Sequence, residues 1–143
     1  MSEEQVAAVI EEEEKTPEQE KAAELPTMLK GLEGAPSTEQ IETWKAQHGD
    51  VFVSGFSEQE LFVWRTITRP EFVQLQQAAA DPQAGIDQFR FEELVCNTCT
   101  LWKSVKTDWN TGKAGTPATL HEQIMQNSNF MPPQMASMLV AKL

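Results

Sequence analysis

A chain of 143 residues, 40% hydrophobic and 23% charged, has enough apolar content to close one modest core without metal or disulfide support. Its formal charge of −11 sets it against duplex nucleic acid, whose phosphates would be repelled. No apolar run approaches the ~20 residues that a membrane helix needs, and the opening residues are glutamate-rich where a signal peptide would be basic and then apolar, so neither a membrane span nor export is expected.

The charge is concentrated at the start. Residues 1–24 hold nine glutamates and two lysines, a net of −7, which leaves −4 for residues 25–143. This opening contains the run Glu11-Glu12-Glu13-Glu14 and no aromatic residue. It therefore buries too little apolar surface to offset chain entropy and reads as a flexible acidic arm, either a solvated extension or a segment that docks on a basic partner. Val6, Val9 and Ile10 stand at the spacing of a transient amphipathic helix. From 24 to 37, Pro26, Gly31, Gly34 and Pro36 punctuate the sequence as a linker. The expected organisation is an arm and linker over 1–36 and one small domain over 37–143.

The domain opens with a helix capped by Ser37 or Thr38, with Gln40 three residues after Ser37, Ile41 and Trp44 on one face and His48-Gly49 as the stop. A hairpin follows, Val51-Phe52-Val53 and Leu61-Phe62-Val63-Trp64, joined by a polar turn region between Gly55 and Glu60. Thr68-Arg69-Pro70-Glu71 is a capping box with proline in the first helical turn, leading into a helix that shows Phe72, Leu75 and Ala79 on one side and ends at Asp81-Pro82. The longest helix is expected from about Asp87 to Lys106, with Phe91, Leu94, Val95, Trp102 and Val105 as its apolar stripe. After a loop, Thr116-Pro117 starts a helix carrying Leu120, Ile124 and Met125, and Pro132-Pro133 opens a last short helix through Met135, Met138 and Leu139. The fold class is α+β and mostly helical, a small β-hairpin packed with about four helices.

Cys96 and Cys99 form a C-x-x-C, the spacing of zinc and redox sites. Further zinc ligands would have to come from His48 and His121, which are distant and unpaired, and the cysteines fall inside an apolar helix, where they behave as small hydrophobes. No P-loop, dinucleotide glycine pattern or nucleophile elbow is present. The sequence therefore offers no catalytic residue, cofactor or metal as its first reading. Trp44, Trp64 and Trp102 sit on apolar faces. Trp109, in a polar stretch, either packs back over the core or projects as a binding anchor. The last segment, 130–143, has one charged side chain, Lys142. It either folds back over the long helix or enters a partner's groove through Met135, Met138 and Leu139.

The order of these signals resembles a module of small proteins from tailed bacteriophages. The run IETWKAQHGDVFVSGFSEQELFVWRTITRPEF carries a helix ending in glycine, a hairpin, and the segment with Trp64-Arg65, Thr68-Arg69 and Glu71-Phe72. The later FEELVCNTCTLW, and GTPATLHEQIMQNSNF after a loop, are similar to that family's C-x-L-W helix and closing segment. Together they span about residues 38–130. The chain departs from the pattern at Lys103-Ser104-Val105-Lys106, and the acidic arm and methionine-rich tail are additions to it. The resemblance implies a tail assembly chaperone or a minor tail or baseplate component. Such a protein would not be an enzyme, would bind tail, hub or tape-measure proteins or its own copies, and would act in the host cytoplasm or in the virion. The alternative is an intracellular metal- or thiol-dependent regulator using Cys96 and Cys99.

Overall fold

The computed structural model of the chain describes residues 16–106 and 108–143. The acidic run Glu11-Glu12-Glu13-Glu14 and the helical spacing of Val6, Val9 and Ile10 lie outside them. The first described element, α1 (Pro17–Lys30), overturns the linker expectation. Thr16 and Gln19 form a reciprocal capping box, the Gln19 N–H donating to the Thr16 hydroxyl at 3.2 Å and the Thr16 N–H to Gln19 Oε1 at 3.0 Å. Pro17 occupies the first turn, where its missing N–H is not needed, but Pro26 lies inside the helix, where it removes a backbone bond. The helix persists because Leu25, Met28 and Leu29 share one face and join Leu32, Ile41 and Trp44 in an apolar cluster over the sheet. Leu29 is buried, and burying such a side chain is worth about 1.5–3 kcal/mol. Tertiary packing outweighs the local proline and glycine signals.

Next, α2 (Thr38–His48) starts at Ser37, whose hydroxyl accepts from the Gln40 N–H at 3.1 Å. It stops at Gly49, which takes a φ of 84° and returns its N–H to Lys45 O. The hairpin is β1 (Val51–Ser57) and β2 (Glu60–Arg65), and α3 (Arg69–Ala78) begins at the Thr68–Glu71 capping box. A short ribbon of β3 (Ala80–Asp81) and β4 (Gly85–Ile86) leads into α4 (Gln88–Cys99), capped by Asp87.

A second correction concerns the long helix expected to reach Lys106. It ends at Cys99, and Thr100–Lys103 forms β5, antiparallel to β2. The sheet is therefore three-stranded, in the order β1-β2-β5. The cause is the central strand. Leu61, Phe62, Val63 and Trp64 are all buried, so the outer edge of β2 cannot be left to water and its backbone groups need a partner. Thr100-Leu101-Trp102 supplies it, and Ser104 prolongs the ladder, donating its N–H to Leu61 O at 2.9 Å and accepting the Leu61 N–H on its hydroxyl at 2.8 Å. Apolar spacing at Trp102 and Val105 mimicked a helical stripe.

The two faces of β2 seed two cores. Leu61 and Val63 meet α1 and α2, while Phe62 and Trp64 meet α3, α4 and α5 (Gly115–Asn127). The result is an α+β fold, mostly helical, with the small antiparallel sheet between two helical layers. The chain then runs through α6 (Pro133–Ala136) into a 3-10 turn over Ser137–Leu139. No helix among the described residues is long and apolar enough to cross a membrane.

Candidate partner-binding surface

The C-terminal surface is built from the end of α5. Ser128 donates its hydroxyl to Ile124 O at 2.7 Å and accepts the Ile67 N–H at 3.0 Å. Asn129 takes a left-handed φ of 71°, a conformation asparagine tolerates better than most side chains. That turn returns the Phe130 N–H to Met125 O at 3.0 Å and lays the Phe130 ring against Phe72, centroids 4.8 Å apart. Beyond this anchor, Pro132 and Pro133 redirect the chain. Met135 is 45% exposed, Met138 82% and Leu139 70%, so the tail does not fold back over α4. The closing residues turn extended at Val140 (φ −122°, ψ 137°) and stay exposed. A contiguous apolar segment left in water is a feature of binding surfaces.

Trp109 does not project. Its ring stacks on Phe62 with centroids 5.6 Å apart, its Nε1 donates to Asn97 Oδ1 at 2.6 Å, and the Lys103 ammonium lies 4.9 Å from the ring centre. Of the two outcomes expected for this tryptophan, packing back is the one observed, with part of the ring still open to a groove shared with Asn97, Thr100, Leu101, Trp102 and Lys103. The two grooves at Trp109 are lined by residues of α4, β2, β5 and the 105–116 segment, and not by Met135 or Met138. The two halves of the expected surface are separate features.

Cys96 and Cys99 close α4 rather than sitting mid-helix. Both are free thiols without solvent exposure. Cys96 Sγ donates to Pro117 O at 3.3 Å, tying α4 to the first turn of α5. Burial pushes both thiols up to about 12, and at Cys99 the nearby Arg65 guanidinium opposes that rise. Thiols so placed are poor nucleophiles near neutral pH. His121 packs edge-on to Phe91 with its Nε2 buried and without a hydrogen-bond partner, and burial lowers its pKa against the opposing pull of Glu92 and Glu122. Among the described residues, no three His, Cys, Asp or Glu side chains converge as a metal site. His48 is exposed at the end of α2.

One constellation escaped the sequence reading. Arg65 grips Glu71 through two parallel bonds of 2.8 Å each and donates again to Thr66 O and Thr98 O at 3.1 Å, joining β2, the start of α3 and the end of α4. Hydrogen bonding from Arg65 holds the Glu71 carboxyl at about 2, and the same bond raises Arg65. The arginine and glutamate are six residues apart, which looks incidental in sequence and becomes a fork-to-fork pair only when the strand turns into the helix. Together with the Ile67–Ser128 bond and the Phe72–Phe130 contact, it ties the Trp64–Phe72 segment to the closing segment near Phe130. The residues that carry the bacteriophage resemblance thus act here as structural joints. Family models, curated proteins and solved structures each return no match to this chain.

Proposed function

We propose that the chain is a non-enzymatic virion assembly protein of a tailed bacteriophage, a tail assembly chaperone or a minor tail or baseplate component. It binds tail, hub or tape-measure proteins, or further copies of itself, in the host cytoplasm during assembly. The reading is supported by the order of motifs across residues 38–130 and by one observation above the rest: the apolar tail carries a run of exposed large hydrophobics, Met135, Met138, Leu139 and Val140. An exposed segment of this kind, set off by two prolines, suits insertion into a partner's groove.

The test is the combined variant Met135→Ser, Met138→Ser, Leu139→Ser, followed by circular dichroism and by light scattering alone and with co-expressed tail proteins. The expected outcome is an unchanged spectrum with association lost. A collapsed spectrum would make the tail part of the core, and a folded variant with unchanged association would remove it from the function. Probing purified particles for the protein separates a component from a chaperone.

A further inference from the structure

The base of the tail is also one wall of a groove. On α5, Ala118, His121, Glu122 and Met125 stand at i, i+3, i+4 and i+7, so they share a helical face. It is not the face that buries Leu120 and Ile124. The Asn129 turn brings Phe130, Met131 and Pro132 beside it, and with Glu92 of α4 these residues line a groove of about 480 Å³. Ser128 and Asn129 already fix that turn, so an occupant would not have to order the wall. Met125, Phe130, Met131 and Pro132 supply carbon surface, while Glu92 and Glu122 supply negative charge. Burial lowers the pKa of His121, which therefore adds no positive charge at neutral pH. Neither carboxylate has an ion pair among the described residues. Glu92 is partly buried, and withdrawing a carboxylate from water favours a cationic partner.

The chain itself carries the complement. Residues 138–143 read Met-Leu-Val-Ala-Lys-Leu, exposed apolar side chains around a single cation, Lys142, on a backbone that turns extended at Val140. No residue after Pro132 lines the groove, so a chain does not fill its own. We infer that residues 138–143 of one copy dock in the α4–α5 groove of a second copy, apolar side chains on Met125 and Phe130 and the Lys142 ammonium at Glu92 and Glu122. The inference rests on the proposed role of the tail in association and names its site. Tail and groove are different surfaces, so the contact is head-to-tail: two copies that exchange tails close a dimer, and copies that do not continue into a ring or filament. Burial of the tail would supply affinity, and the charges would fix its register.

Light scattering over a concentration series of the full chain reads the contact. The parent should self-associate reversibly, and less so in added salt. Glu92→Lys combined with Glu122→Lys should weaken association about tenfold or more, and Lys142→Glu should do the same, because each sets like charges together. Mixed in equal amounts, the two variants should associate again, since each tail then meets a groove of opposite charge. Circular dichroism checks the fold, and should the double variant unfold, the exposed Glu122→Lys is used alone. A parent that is monomeric at every concentration, a groove variant that associates like the parent, or a mixture that stays apart would each overturn the inference. If the groove variant associates normally while serine at Met135, Met138 and Leu139 abolishes association, the tail keeps its proposed role and only the groove is ruled out.

Discussion

Ile67 and Ser128, 61 residues apart, are joined by a single hydrogen bond of 3.0 Å from the Ile67 N–H to the Ser128 hydroxyl. The same hydroxyl donates to Ile124 O, so one side chain closes α5 and satisfies the backbone just before α3. Ser128→Ala should cost about 1–3 kcal/mol, because the part-buried Ile67 N–H loses its partner. Chemical denaturation checks this, and amide exchange should show the Ile67 N–H losing protection first.

Among the described residues, Glu71 and His121 each tie stability to acid pH. Glu71 has a folded pKa of about 2 against an ordinary 4.5. Its contribution is therefore complete above 4.5 and lost as pH falls toward 2. His121 is also depressed, by burial, from its ordinary 6.5. Its neutral form is the one the fold accepts, so stability should decline once pH drops below 6.5 and level off below the folded value. Thermal melts across pH should show two separate declines. Glu71→Gln should remove the lower one and His121→Phe the upper one. Persistence of either decline in its variant would assign it to another group.

The cysteines should behave as packing residues. Cys96→Ala and Cys99→Ala should each cost about 1 kcal/mol without loss of association, and serine at either position should cost more, since its hydroxyl is more polar than the thiol it replaces. A thiol reagent should leave both untouched in the native protein and modify both after denaturation, as burial and thiols raised to about 12 require. Stoichiometric zinc in the purified protein, or fast native modification, would restore the thiol- or metal-dependent alternative.

The packing of α1 has a sharp test at Leu29 and Gly55. Leu29 is buried in the cluster between α1, α2 and the sheet, so Leu29→Ala should cost about 2–5 kcal/mol. A Cβ built on Gly55 would stand 2.5 Å from Leu25 Cδ2 and 2.7 Å from Leu61 Cδ2, so Gly55→Ala should also destabilise by displacing those two packed side chains. If both variants melt like the parent, α1 contributes nothing to the core.

The caps and turns were legible in the sequence because their physics spans three or four residues. Ser37 with Gln40, Thr68 with Glu71, and Gly49 at the end of α2 satisfy backbone groups beside themselves, so composition alone places those helix ends. The hairpin and the proline-opened tail helix were equally local. Thr16 with Gln19 was a signal of the same kind, but Pro26 and the glycines after it spoke against a helix until the burial of Leu29 outweighed them. The identity of β5 was decided by β2, a strand buried on both faces that needs a partner far along the chain, Val63 lying opposite Trp102, and no local window contains that demand. The same holds for the candidate surface. Composition marked the tail as apolar and Trp109 as unusual, but only packing decided that one stays in water while the other is pinned between Phe62 and Asn97. Exposure is a property of what the rest of the chain leaves uncovered.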